Sequence, residues 1–301
     1  NTGMGTTTSS SLYFAGISPA PAIVGTTEEW TAPTDFNQIQ EGQLFFNSTT
    51  NTFKETITDF PAATWASGGS LNTARDGLLG GAGTQTAGQV AGGRVSPPAS
   101  SAANELYDGS SFTESGDLNT ARRFLTVFGA TNTASVAAGG NVPPHTAIAE
   151  SWNGSAWTEV ADLNTGRGTA GGCGIQTSTL AFGGVAGGSE RDETESWDGT
   201  SWTEVSDLNT AREKPGGSGA SANVCLAFGG DPPRTVNTEF WNGTSWTEVN
   251  NLSTGRGSGG TSHNSASATF LAGGRTGTPL TLTANTEEWT ADLANKTITA
   301  S

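Results

Sequence analysis

Six glutamates recur along the chain, each two residues ahead of an aromatic: Glu28, Glu105, Glu150, Glu195, Glu239 and Glu287. Five arginines recur in step with them, Arg75, Arg122, Arg167, Arg212 and Arg256, and Met4 takes the sixth place. Carboxylates held in pairs can act as the acid and base of a glycosidase. Carboxylates held against guanidinium groups form ion pairs, the one form in which a charge is tolerated beside buried aromatics. Six equivalent positions argue for architecture. The expectation is a set of structural Glu–Arg pairs tying first to third strands, within or between repeat units, with no catalytic residue among them.

The remaining reactive side chains are sparse. Asp117, Asp162 and Asp207 each precede a repeated Leu and could collect Ca²⁺ with nearby carbonyls. Asx turns that satisfy their own backbone explain them more simply, so no metal is expected. A copper-radical site needs Tyr, His and Cys together. The chain offers Tyr13 and Tyr107 at strand positions filled by packing side chains, His145 in a Pro loop, and His263 in a Gly/Ser run. Solvent-facing histidines and no cofactor are the expectation. Cys173 and Cys225 fall in different repeats at different repeat positions, which reads as two small buried side chains rather than a bond.

The elements that must position these residues are repeats. The stretch 195–212, ESWDGTSWTEVSDLNTAR, returns in near copies. In it Trp197 and Trp202 flank Asp198-Gly199. The same design reads Tyr107/Asp108-Gly109/Phe112, Trp152/Asn153-Gly154/Trp157 and Trp241/Asn242-Gly243/Trp246. Asx-Gly between β-favouring residues predicts a two-residue hairpin turn. Each unit divides into four segments: a Leu-Asn-Thr-Ala/Gly-Arg lead with a Gly-rich run, a small apolar segment ending on Gly-Gly, the Glu-x-aromatic segment, and a Trp-Thr-Glu-Val relative. The leads are spaced by 47, 45, 45 and 44 residues, the size of one four-stranded blade. The expected fold is all-β, a six-bladed propeller forming a single domain over 1–301. Its blades run near 1–70, 71–117, 118–162, 163–207, 208–251 and 252–301. Residues 1–5 align with 164–168, which starts the first blade at residue 1, and 296–300 supplies the last fourth strand. An insertion at 31–60 alternates across a Ser-Thr-Thr-Asn turn and predicts an extra hairpin in the first blade.

The Gly-Gly doublet, the two aromatics and the lead Arg resemble Kelch-type propellers. More narrowly, ESWNGTSWTEV, LNTAR and LAFGG resemble the Kelch-like repeats of virion and tail-fibre proteins of marine tailed bacteriophages, and the insertion EGQLFFNSTTNTFKET is similar to a segment that accompanies them. The resemblance implies a non-enzymatic structural or receptor-binding module on a virion. Its partners would be other virion proteins, through residues 31–60, a host-surface glycan or protein, and further copies of itself. The alternative is a secreted carbohydrate-active enzyme of galactose-oxidase type, which also uses Kelch propellers.

A net charge of −15, with Lys54, Lys214 and Lys296 the sole lysines, leaves no basic stripe for nucleic acid. No apolar run approaches the roughly 20 residues of a membrane helix, so membrane insertion is not expected. Strand parity puts the second-to-third loops on one face: 17–27, 94–104, 141–149, 185–194, 231–238 and 275–286. They differ from copy to copy and carry Arg94, Pro97, Pro98, Pro143, Pro144, His145, Arg191, Asp231, Arg234 and Arg275. Dissimilar, Pro-stiffened loops on a regular scaffold are the candidate binding face, and unconstrained drift would give the same pattern.

Overall fold

The computed structural model describes the backbone of residues 2–7, 10–17, 23–31, 44–47 and 52–55. It describes the backbone of 260, and both backbone and side chains of the rest of 69–291, apart from 79, 85, 96–98, 262–264 and 278–280. Among these residues all regular structure is β-strand. The chain groups into two compact units, Asn1–Ala66 and Ser67–Ser301.

Within Ser67–Ser301, four successive four-stranded antiparallel sheets follow the sequence repeat, each with its strands in chain order from one edge to the other. The third sheet is typical: Gly171–Ile175, Ser178–Phe182, Thr194–Trp197 and Trp202–Val205. A fifth sheet pairs Gly260–Thr261, Ala268–Ala272 and Thr286–Thr290. The predicted fourth strand at 296–300 lies outside the described residues.

Period-two patterning decides what each strand buries. In Thr194–Trp197 the glutamate and tryptophan point the same way and are both buried. In Trp202–Val205 the Trp goes inward and Thr203 and Glu204 stay exposed. The two tryptophans then pack, with ring centroids 5.3 Å apart here and 5.4 Å apart in both neighbouring sheets. Each such ring buries enough apolar area to supply roughly 4–6 kcal/mol. This is how a chain poor in aliphatics builds a core. The third-strand indole N–H is also satisfied: Trp152, Trp197, Trp241 and Trp289 donate to the carbonyls of Asn132, Gln176, Ala222 and Ala266, in the turns between first and second strands.

The hairpin turn differs from expectation. Trp197 pairs directly with Trp202, so the loop has four residues, 198–201, rather than two. The Asx side chain closes it. Asp198 Oδ1 accepts the N–H groups of Thr200 and Ser201, both at 2.8 Å, while Gly199 takes φ +94°. Asp108, Asn153 and Asn242 do the same in their own sheets.

The Gly-rich first strands are explained by the neighbouring sheet. A Cβ built on Gly217 would run into the backbone of Gly172 in the preceding sheet, and one on Gly80 would stand 2.8 Å from the Val127 carbonyl of the following sheet. The first strands of successive sheets approach too closely for side chains.

In Asn1–Ala66, Thr2–Thr7, Ser10–Ile17 and Ile23–Thr31 form a three-stranded antiparallel sheet. Leu44–Asn47 and Thr52–Glu55 pair as a hairpin in the insertion. Glu28 pairs with Tyr13, the register in which Glu195 pairs with Ala181. Met4 is a correction. It pairs with Leu12 inside the first strand, where Cys173 pairs with Leu180, and does not take the place of a lead arginine. The reason is chain length: Met4 precedes Leu12 by 8 residues, whereas Arg167 precedes Leu180 by 13. Residues 2–7 are consumed by the strand itself.

Candidate functional site

The recurring Glu and Arg meet inside each sheet. Arg75 stands 3.0 Å from Glu105, Arg122 2.6 Å from Glu150, Arg212 2.8 Å from Glu239 and Arg256 2.6 Å from Glu287, and Arg167 binds Glu195 in the same way. The lead segment thereby closes on the third strand of its own sheet. In the Arg75, Arg122, Arg167 and Arg212 pairs neither side chain is exposed by more than 1%. Burial pulls the Arg122 and Arg212 guanidinium groups below their usual range despite the facing carboxylates.

The second carboxylate oxygen has a partner that the sequence reading missed. Glu150 Oε2 accepts from the Asn119 N–H at 2.7 Å and from Asn119 Nδ2 at 2.8 Å, and Asn119 Nδ2 reaches on to the Trp157 carbonyl. Asn164 and Asn209 hold Glu195 and Glu239 in the same way, and the Asn72 N–H donates to Glu105. Ser253 takes the place of the asparagine at Glu287, its N–H donating at 2.6 Å, and Glu287 is more exposed, at 22%. Burial pushes the Glu287 carboxyl upward, but the Ser253 hydrogen bonds and the Arg256 charge outweigh it and hold the group below its ordinary value. In Glu150, Glu195 and Glu239 both carboxylate oxygens are engaged within the sheet. These glutamates are fold elements, and the signal for the missing partner was the Asn of Leu-Asn-Thr in four of the five leads.

Asp117, Asp162 and Asp207 accept the N–H of Asn104, Ala149 and Thr194, and Asn251 does the same for Thr238. An amide serving as well as a carboxylate identifies a backbone cap. Among the described residues no three His, Cys, Asp or Glu side chains gather as metal ligands. Tyr107 stacks on Phe112 with centroids 4.7 Å apart. His145 is half-buried and lies over Gly168, where an added Cβ would meet its ring at 2.8 Å, so it is less solvent-facing than expected. His263 lies outside the described residues. The cysteines are a correction: Cys173 and Cys225 are joined as a disulfide, their Cα atoms 6.3 Å apart. One sits on a first strand and the other on the second strand of the next sheet, so stacking brings together positions that no repeat alignment pairs.

Lead segments and second-to-third loops share one end of the sheets. The Gly-Gly doublets donate there to the lead arginine carbonyl of the next sheet: Gly93 to Arg122, Gly140 to Arg167, Gly184 to Arg212 and Gly230 to Arg256. Above these invariant ties the side chains differ. Arg94 binds Asp76, Arg191 lies 3.2 Å from Glu193, and Arg234 lies 3.3 Å from Asp231 and donates to the Gly277 carbonyl at 2.6 Å. The hydrogen bond between Asp76 and Arg94 lowers the carboxyl and raises the guanidinium. Arg275, Pro143 and Pro144 are exposed, and Pro97 and Pro98 lie outside the described residues.

Two residues past each lead arginine the chain turns left-handed, at Gly77 (φ 68°), Phe124 (57°), Thr169 (55°), Lys214 (52°) and Ser258 (60°). The Phe124 N–H donates to the Gly77 carbonyl, Thr169 to Phe124, and Lys214 to Thr169, at 2.9, 2.9 and 2.8 Å. This chain of backbone bonds runs from sheet to sheet. Of the five left-handed residues, Lys214 and Ser258 line a cavity of about 280 Å³ between the first strands, together with Leu78, Thr126, Ala170, Pro215, Thr261 and glycines. Comparison with known proteins finds no family model and no curated protein that matches the chain.

Proposed function

We propose that this chain is a six-bladed Kelch-like β-propeller that serves, without catalysis, as a structural and receptor-binding module of a bacteriophage particle. In this reading it is a tail-fibre or decoration protein whose loop face meets a host-surface glycan or protein. The observation that carries the binding role is the contrast at one end of the sheets, where identical backbone ties support non-identical side chains. A scaffold that keeps its main chain and varies what stands on it is suited to recognition. Clasp-bearing repeats that each build an antiparallel sheet support the propeller, with the Glu28 sheet as the sixth blade. The 44–47/52–55 hairpin breaks the repeat and is the element offered to other virion proteins.

The test compares the purified protein with a variant whose 141–149 and 231–238 loops are replaced by short Gly-Ser turns. Both are applied to a glycan array and to whole bacterial cells. Binding that disappears in a folded variant supports the loop face. Binding that persists unchanged removes it, and no binding by either protein leaves a structural virion role.

A further inference from the structure

The filled seams between sheets show what a fourth strand contributes. Trp246 stands edge-on to Phe182 of the preceding sheet, ring centroids 5.0 Å apart, and its indole N–H donates to Thr194 Oγ1 at 3.0 Å. Leu208 of the lead belongs to the same buried cluster. Trp157 and Trp202, on the fourth strands of the second and third sheets, are buried as deeply as Trp246. One inward side chain on the outer strand closes each of these seams.

The seam between the fourth and fifth sheets has the same walls. Phe228 ends its second strand as Phe182 does, Thr238 opens its third strand as Thr194 does, and Leu252 stands in the lead where Leu208 stands. With Leu226, Leu271 and Trp289 they line a mainly apolar pocket of about 70 Å³. That is far below the size of small-molecule pockets and suits one aliphatic side chain. Among the described residues Thr286–Thr290 is the last strand of its sheet, and its burial is relaxed. Trp289 is half-buried, where Trp152, Trp197 and Trp241 are at most 2% exposed.

We propose that residues 292–301, DLANKTITAS, run back along Thr286–Thr290 as an antiparallel strand and seat Ile298 in this pocket. The corresponding turns of the other sheets have four residues, which leaves Leu293 inside the turn. Ile298 is the next large apolar side chain, and Thr297 and Thr299 alternate outward beside it, as Thr203 does beside Trp202. A branched aliphatic then closes the last seam where an indole closes the others. The added strand also covers the row of N–H and C=O groups that an edge strand presents. This docking surface stands whether or not the loop face binds a receptor.

The experiment follows thermal melting and hydrogen exchange of the 286–290 amides in the whole chain, in a form ending at Ala291, and in Ile298→Asp and Ile298→Val. The shortened form and Ile298→Asp should each melt about 4 °C or more below wild type and exchange about tenfold faster over 286–290. Ile298→Val should stay close to wild type in both. Ile298→Ala should cost less in a Leu252→Ala background than alone, because the two side chains share one pocket. Melting and exchange left unchanged by both the shortening and Ile298→Asp overturn the proposal, as does full additivity of the two alanine changes. If the shortened form fails to fold, the alanine pair, made of milder changes, decides. A second copy on this edge would give dimers in sedimentation and 286–290 protection that survives the shortening, which also overturns it.

Discussion

Glu150, Glu195 and Glu239 are each held by an arginine on one oxygen and an asparagine on the other, and the three side chains act as one unit. Removing one partner strands a buried charge. Arg167→Ala should cost about 3–5 kcal/mol in chemical denaturation, because Glu195 is left without its counter-charge in the core. The double change Arg167→Met with Glu195→Leu should cost markedly less than Arg167→Ala alone, and equal losses would show that the pair is not what matters. The turn carboxylates work at the surface. The N–H of Ser111 first, then the Ser110 hydroxyl and N–H, hold Asp108 down to about 2, from an ordinary 3.8. A depressed acid stabilises the fold above its unfolded value, and that contribution is lost as pH falls from about 3.8 through about 2. Asp108→Asn, which keeps the turn as Asn153 and Asn242 do, should flatten the acid limb of a stability-against-pH curve in that window.

At the scale of elements, the sheets are joined by close main-chain approach and by one covalent bond. Gly217 faces the Gly172 backbone, so Gly217→Ala should lower stability by about 1–3 kcal/mol as the sheets are forced apart. A melting temperature equal to wild type would mean that the first strands have slack. Cys173→Ser with Cys225→Ser, compared under non-reducing conditions, should cost about 2–4 kcal/mol, since the bond closes a loop with a sequence separation of 52. The outer strands are protected differently. Glu159, Glu204 and Glu248 stand exposed on them, and repeated like charge discourages pairing with another sheet edge.

For the whole molecule, repetition made some features readable and hid others. Strand order, the buried tryptophans and the Glu–Arg partners were legible because five copies kept nearly the same spacing. The disulfide was not, because its two positions are equivalent to nothing in the repeat and meet only when sheets stack. Asn119, Asn164 and Asn209 stood in the repeated lead with no assigned role, and the structure puts their amides on the glutamates. Met4 was misplaced because a five-residue likeness outweighed the count of residues available for a strand. The left-handed turns left no signal at all, since Gly77, Phe124, Thr169, Lys214 and Ser258 share a backbone angle and no side-chain chemistry. The loops to be shortened carry main-chain bonds to the following lead, from the Arg167 N–H to Thr146, the Leu163 N–H to Ala147 and the Leu252 N–H to Val236, so the loop-shortened variant should melt below wild type. An unchanged melting temperature would show that these bonds contribute little.

The left-handed turns have a consequence for how such a protein changes. The bonds that run from Gly77 through Phe124 and Thr169 to Lys214 use amide and carbonyl groups alone, and the left-handed turn is already met by a glycine, an aromatic, a β-branched residue, a lysine and a serine. Each position is a socket that accepts different inserts without retooling its neighbours. Side chains can therefore be exchanged there one residue at a time, while the main-chain bonds that run from sheet to sheet stay out of reach of the substitution.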